Sequence, residues 1–392
     1  MKLGKLCILF TDGDWIESKD QSDSGIRLIQ TGNIGNGEFL YKNDKAKYIS
    51  VDTFKRLNCK EVFPNDILVS RLPEPVGRGC IIPDIGEKMI TAVDCTICRI
   101  NENLVDRKYF CYFLESNAYK TQLEQHVTGT TRKRISRKNL SSIEIDIPEQ
   151  AKQKEVVYKL DRLKKIIQNY NRELDLLDEL IKARFVEMFG DPRINDKKWK
   201  AGKIVDYFEV KGGKRIPKGM GYAERKTNHP YLRASDMKNA TILDDDIHYI
   251  DEEVYKRIKR YTVNAHDIYL TNVGVNLGMA GVIPKKYDGA NLTENAVKLV
   301  PKDKILLNGM FLSYYINSPG IQHYINERKM SVGVPKLAIF RIESMPLLLP
   351  PLELQNQFAS FVEEVDKSRS RIQKSLEASQ ELFDSLMQEY FG

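Results

Sequence analysis

Ten consecutive residues, Gly129-Thr130-Thr131-Arg132-Lys133-Arg134-Ile135-Ser136-Arg137-Lys138, hold five cations and four small or polar residues. Glycine and small side chains let backbone N–H groups come close to phosphates, while lysine and arginine neutralise them. A second run, Val210 to Gly219, carries Lys211, Lys214, Arg215 and Lys218 among three glycines. Two further loops, Ser70–Gly79 and Thr271–Gly278, present Arg71 and Arg78 in one and Asn272 and Asn276 in the other. Arginine and asparagine are the side chains shaped for paired hydrogen bonds to guanine and adenine edges. Lys336 joins this set of expected DNA contacts. A single basic loop is most often a solvated surface. Loops of this kind at matching places in the two halves of one chain point to polyanion binding instead.

Other chemistries find less support. Cys95-x-x-Cys98 lies in an expected strand, where residues three apart point to opposite faces and share a metal poorly. Pro83-Asp84 followed by Asp106-Arg107-Lys108 has the loose form of a Mg²⁺-dependent nuclease site. The corresponding place in the second half reads Pro284-Lys285, a cation where a metal-binding carboxylate should stand. The sequence contains no phosphate loop of the Gly-x-x-x-x-Gly-Lys-Ser/Thr kind and no Asn/Asp-Pro-Pro-Tyr/Phe motif, and its five histidines are scattered. The expectation is therefore binding rather than catalysis, with no catalytic residue, metal or cofactor in this chain.

The elements that must position these loops are duplicated. Pro148, Gln153, Leu174 and Glu179 recur as Pro350, Gln355, Leu376 and Glu381, each at an offset of 202. Glu187-Met188-Phe189-Gly190 recurs as Glu389-Tyr390-Phe391-Gly392. The first segment carries an apolar stripe spaced alternately by four and three: Val156, Leu160, Leu163, Ile167, Tyr170, Leu174, Leu177, Ile181 and Met188, with Arg184 in the remaining slot. The second carries Phe358, Val362, Val365, Ile372, Leu376, Phe383, Leu386 and Tyr390, interrupted at Arg369 and Ser379. Such spacing is a heptad seam and predicts two long helices packed antiparallel, seam to seam. At 1.5 Å per residue each is a rod of roughly 60 Å. Proline just before each seam and Gly190-Asp191-Pro192 after the first mark their ends.

The regions before the rods also correspond. Asn65-Asp66-Ile67-Leu68 is similar to His266-Asp267-Ile268-Tyr269, and Cys80-Ile81-Ile82-Pro83 to Gly281-Val282-Ile283-Pro284. Ile26-Arg27-Leu28 corresponds to Pro230-Tyr231-Leu232. Short apolar runs broken by Gly, Pro, Asn and Asp predict strands with long loops. With 42% hydrophobic and 29% charged residues the composition is that of a globular protein, and a formal net charge of +7 permits a polyanionic partner. The apolar run Leu6–Phe10 is too short for a signal-peptide core, no stretch approaches the roughly 20 residues of a membrane span, and six scattered cysteines fit a reduced, cytoplasmic setting.

In the order and duplication of these segments the chain resembles the specificity subunits of type I restriction–modification systems. The resemblance is carried by Leu349-Pro350-Pro351-Leu352-Glu353-Leu354-Gln355 and its first copy Ile147-Pro148-Glu149-Gln150-Ala151-Lys152-Gln153. The closing Phe-Gly and the Gly-Gly-Lys-Arg-Ile-Pro-Lys-Gly run also carry it. It implies an α+β fold of two pseudo-symmetric target-recognition domains separated by two long antiparallel coiled-coil helices. Residues 1–146 form the first domain, 147–190 the first spacer helix, 191–348 the second domain and 349–392 the second spacer helix. It further implies that each domain reads half of a split double-stranded DNA target. The helices would bind two methyltransferase subunits, and motor-nuclease subunits join them. S-adenosylmethionine, ATP and Mg²⁺ would belong to those partners. Two departures stand out: Glu149 occupies the place of Pro351, and residues 11–25 lack a clear Gly-Gly-Lys-Arg run. The competing expectation is a coiled-coil scaffold that joins proteins without touching DNA.

Overall fold

The computed structural model describes residues 1–129, 132–302, 307–330 and 333–392. The chain divides into two compact units, Met1–Asn171 with Gln373–Gly392, and Arg172–Ile372. Each unit thus holds one globular region together with parts of both long helices.

In the first unit an antiparallel sheet runs in the order Cys7–Asp12, Cys95–Ile100, Ile67–Ser70, Gly79–Ile81. Its two central strands, Cys95–Ile100 and Ile67–Ser70, are buried on both faces, while the edge strand Cys7–Asp12 is half-buried to exposed. Ile67 and Val69 enter one apolar cluster with the helices Arg107–Glu115 and Asn117–His126, while Leu68 enters another on the opposite side. Burial on both faces is why these strands read as unbroken apolar runs instead of alternating ones. A five-stranded sheet beside it contains a parallel pair, Ile26–Ile29 with Met89–Thr91.

The second unit repeats this plan. Its main sheet runs Phe208–Gly212, Ala296–Pro301, Ile268–Thr271, Ala280–Val282. The registers agree: Ile67 faces Cys98 in the first sheet, and Ile268 faces Leu299 in the second. Pro230–Leu232 pairs in parallel with Asn291–Leu292, as Ile26–Ile29 does with Met89–Thr91. The helices Gly309–Asn317 and Pro319–Arg328 stand where Arg107–Glu115 and Asn117–His126 stand in the first unit, at the same offset of 202 that relates the rods.

The rods are the helices Gln150–Phe189 and Leu352–Phe391. Within the second unit they run antiparallel, because Phe185 and Phe189 meet Phe358 while Asp178 pairs with Arg369 at 2.5 Å. Of the seam residues, Val156, Leu160, Ile181, Phe358, Val362 and Val365 are buried, and Leu163, Ile167, Tyr170, Leu174, Leu177, Ile372, Leu376, Phe383 and Leu386 are half-buried. The stripe departs from expectation at the C-terminal end of the first rod. After Ile181 the buried residues are Phe185 and Phe189, not the slots of Arg184 and Met188. There the helix packs on a globular core, Phe185 stacking on Phe311 at 5.9 Å, so the spacing becomes four and four. Met387 and Phe391 are buried at the equivalent places of the second rod.

A buried glutamine anchors each rod's first turn. The Gln153 side chain accepts from the Asp106 N–H at 2.7 Å and donates to the Pro148 carbonyl at 2.8 Å. Gln355 accepts from the Asn308 N–H at 2.8 Å and donates to the Pro350 carbonyl at 2.9 Å. Asp106 and Asn308 are themselves the N-caps of equivalent helices, each accepting two backbone N–H groups.

Candidate nucleic-acid interface

In both units the loops expected to meet a polyanion are held by the same backbone stitches. The first loop closes through Gly77 N–H to Ser70 O (2.7 Å) and its copy through Gly278 N–H to Thr271 O (2.8 Å). Both glycines have positive φ, +82° and +94°. A helix side chain then clamps each glycine carbonyl: the Tyr119 hydroxyl donates to Gly77 O at 2.8 Å, and the Gln322 amide to Gly278 O at 2.7 Å.

A second segment lies against each loop. Thr128 and Arg134 exchange backbone hydrogen bonds, as do Met330 and Lys336. Ile135 N–H then donates to Arg71 O at 3.2 Å and Leu337 N–H to Asn272 O at 2.8 Å, joining segment to loop identically in the two units. Buried Ile135 and Leu337 anchor these joints.

The structure separates the expected contact residues into two groups. Arg132, Lys133, Arg134, Arg137 and Lys138 are exposed around the turn of the first unit. Among the described residues, Arg132, Lys133 and Lys138 have no ion-pair partner, while Arg134 reaches Asp94 at 3.6 Å and Arg137 reaches Asp12 at 3.8 Å. In the second unit Lys211, Lys214, Arg215, Lys218 and Lys336 are exposed. Lys211 pairs with Glu209 and Arg215 with Glu294, each at 2.5 Å. Asn276 is half-buried and its side chain makes no hydrogen bond to the described residues. Thr130 and Thr131, within the first basic run, lie outside the described residues.

Three expected base readers belong instead to the framework. Arg78 is buried, and its guanidinium donates to the carbonyls of Ile34 (2.6 Å), Pro75 (2.6 Å), Thr31 (2.8 Å) and Leu72 (3.2 Å). Burial also pulls its pKa below the ordinary guanidinium value. Arg71 donates to Val93 O at 2.6 Å and Ile135 O at 3.3 Å and faces Asp12 at 3.3 Å. Asn272 is buried, its amide 3.4 Å from Leu337 O. Arg78 spends its donors on the protein's own carbonyls, Arg71 spends both terminal nitrogens the same way, and Asn272 is closed off by burial. The sequence shows that these residues suit DNA but not that the fold consumes them.

The basic run of the second unit leaves the sheet at Gly213, where a β-carbon would lie 2.0 Å from Thr293 O. Gly13 is its counterpart in the first unit, with Thr91 O 2.2 Å from the same point. Gly13 and Gly213 donate their N–H groups to the corresponding strand residues, Cys95 and Ala296. The first copy therefore keeps the close crossing but follows it with Asp14 and Trp15, where the second has Lys214 and Arg215. In the sequence this correspondence is hidden, because Gly13 stands among neighbours unlike those of Gly213.

The catalytic alternatives are dispersed. Asp106 caps a helix, Lys108 pairs with Asp161 at 2.5 Å, and Asp84 accepts the Gly86 N–H. Cys98 packs into the cluster on one face of its sheet and Cys95 into that on the other. Burial pushes the Cys95 thiol up to about 12.

Residues 1–178 and 196–380 match the family described as type I restriction modification DNA specificity domain. The chain is 20% identical over 386 residues to the type I restriction enzyme MjaIX specificity subunit of Methanocaldococcus jannaschii, covering 94% of this chain and 86% of that protein. It is 22% identical over 377 residues to the EcoKI specificity subunit of Escherichia coli K12, covering 90% and 78%. In fold it is similar to the type I restriction–modification S subunit from M. genitalium, with a TM-score of 0.57, 16% identity and coverage of 100% and 95%. It is also similar to a chain from a structural study of complex assembly in the type I system, with a TM-score of 0.62, 13% identity and coverage of 100% and 96%.

Proposed function

The chain belongs to the type I restriction modification DNA specificity family, and from that premise we propose that it carries the sequence choice of a type I restriction–modification complex. Each globular region reads one half of a split double-stranded DNA target. The rods dock two methyltransferase subunits, and motor-nuclease subunits join that assembly. The chain itself performs no chemistry: S-adenosylmethionine, ATP and Mg²⁺ act in the partners.

One observation carries this reading. Loop segments stitched by equivalent hydrogen bonds in both units present exposed cations, Arg132, Lys133 and Arg134 in the first and Lys336 in the second, of which only Arg134 has an ion-pair partner among the described residues. A pure scaffold has no need of such a pair on rigid stems. Phosphate contacts set position and affinity, and base-edge contacts from the same platform set sequence. Methylome sequencing of the source cell with and without this gene tests the proposal. A split methylated motif that disappears on deletion is the expected result. An unchanged methylome would overturn it.

A further inference from the structure

Residue 3 to residue 6 form a single tight turn whose Leu3 and Leu6 are buried, leaving Lys2 and Lys5 exposed. The segment is fixed by Leu3 N–H donating to Ile143 O at 2.9 Å and by a bridge between Lys2 and Glu144. Gly4 lets the turn lie close on the short helix Arg137–Ser142, since a β-carbon there would sit 3.0 Å from that of Ser141. Between turn and helix opens a cleft of about 620 Å³ whose lining includes Lys2, Lys5, Arg137, Lys138, Asp12 and Ser141. Asp12, the one carboxylate among its lining residues, is already engaged by Arg71 at 3.3 Å and Arg137 at 3.8 Å. Lys2, Lys5 and Lys138 have no ion-pair partner among the described residues.

The second unit has the same frame without the charge. Ile204 N–H donates to Met345 O at 3.0 Å, as Leu3 does to Ile143. Lys302 N–H donates to Tyr207 O as Asn101 does to Leu6 O, which sets the register. Lys2, Lys5, Arg137, Lys138 and Ser141 therefore correspond to Lys203, Asp206, Ile339, Phe340 and Glu343. Four cations in the first unit become one, beside two carboxylates and two exposed apolar side chains.

We propose that the cleft of Lys2, Lys5, Arg137 and Lys138 binds DNA phosphodiesters and exists in the first domain alone, so that the two half-sites are held with unequal electrostatic strength. The inference rests on the DNA-binding reading above. The cleft is open, which suits a passing backbone better than an enclosed small anion. It also continues, through Arg137 and Lys138, directly from the cationic turn at Arg132–Arg134. A phosphate series on one strand repeats its charge along such a track and releases counterions as each is neutralised.

The test measures binding of the full chain to a duplex of random sequence by fluorescence anisotropy over a range of NaCl concentrations. Removing two phosphate contacts with Lys2→Ala/Lys5→Ala should lower the slope of log Kobs against log[salt] by about 1.8. Lys2→Arg/Lys5→Arg should restore it, and Lys203→Ala in the second unit should leave it unchanged. If the alanine pair lowers the melting temperature, the single Lys5→Gln, a smaller change at an exposed side chain, should still lower the slope by about 0.9. A slope unaltered by the Lys2/Lys5 variants but lowered by Arg132→Ala/Lys133→Ala/Arg134→Ala would overturn the cleft and leave the DNA reading intact. No salt-dependent binding by the wild-type chain would overturn both.

Discussion

Among the arginines of the first unit, accessibility separates two jobs that sequence alone merges. Arg132 and Arg134 are exposed at the tip of a stitched turn, whereas Arg78 is buried and binds four carbonyls. Replacing Arg132, Lys133 and Arg134 with alanine should weaken binding to every duplex alike and lower the salt slope by roughly 2–3, read from titrations at several salt concentrations. Replacing Arg78 with methionine strands buried carbonyls and should cost about 3 kcal/mol of stability, measured by urea unfolding. The surviving folded Arg78→Met protein should keep the wild-type salt slope. A lowered slope would return Arg78 to the DNA surface.

At the scale of elements, each rod is a seam along its middle and a core helix at the end where it meets a globule. Phe185 lies among Phe189, Phe311 and Phe358, while Arg184 is half-buried and pairs with Glu187 at 2.8 Å. Phe185→Ala should therefore destabilise the protein by about 3–5 kcal/mol. Arg184→Ala should change stability by no more than about 0.5 kcal/mol, because an ion pair whose charged ends remain open to solvent contributes little. Chemical denaturation of both variants decides between the heptad slot and the observed face. The anchoring glutamines belong to this scale as well. Gln153→Leu leaves the Asp106 N–H without its acceptor and should cost about 1–3 kcal/mol. Gln355→Leu should behave the same way, since the two side chains make equivalent bonds.

For the molecule as a whole, the repeat joins two units whose main four-stranded sheets share one strand order, each with its own helices and apolar clusters. Units built this way should read DNA independently. Substituting residues 191–348 with the corresponding region of another family member should change one half of the methylated motif and leave the other, as methylome sequencing would show. A change in both halves would sink the modular reading. The two units are nonetheless unlike in charge: the stitched turn reads Arg132-Lys133-Arg134 in one and Val334-Pro335-Lys336 in the other.

Much of this is legible in the sequence. A constant offset of 202 carries the duplication of the rods, the heptad spacing carries their seam, and unbroken apolar runs such as Ile67–Val69 carry the strands. These are periodic or repeated signals, and local geometry imposes them on the sequence. What lay beyond it depends on partners distant in the chain. Whether Arg78 faces DNA or four carbonyls, and whether Arg71 is free or held by Val93 and Ile135, depends on residues brought close only by folding. The same holds for Phe185, whose partners Phe311 and Phe358 lie more than a hundred positions away, and for Gly13, whose role appears only against Thr91. Lys2 and Lys5 are two charges at one end of the sequence and Arg137 and Lys138 two more far along it. The turn packing on a helix makes them one cleft, because charge acts through space and not along the chain.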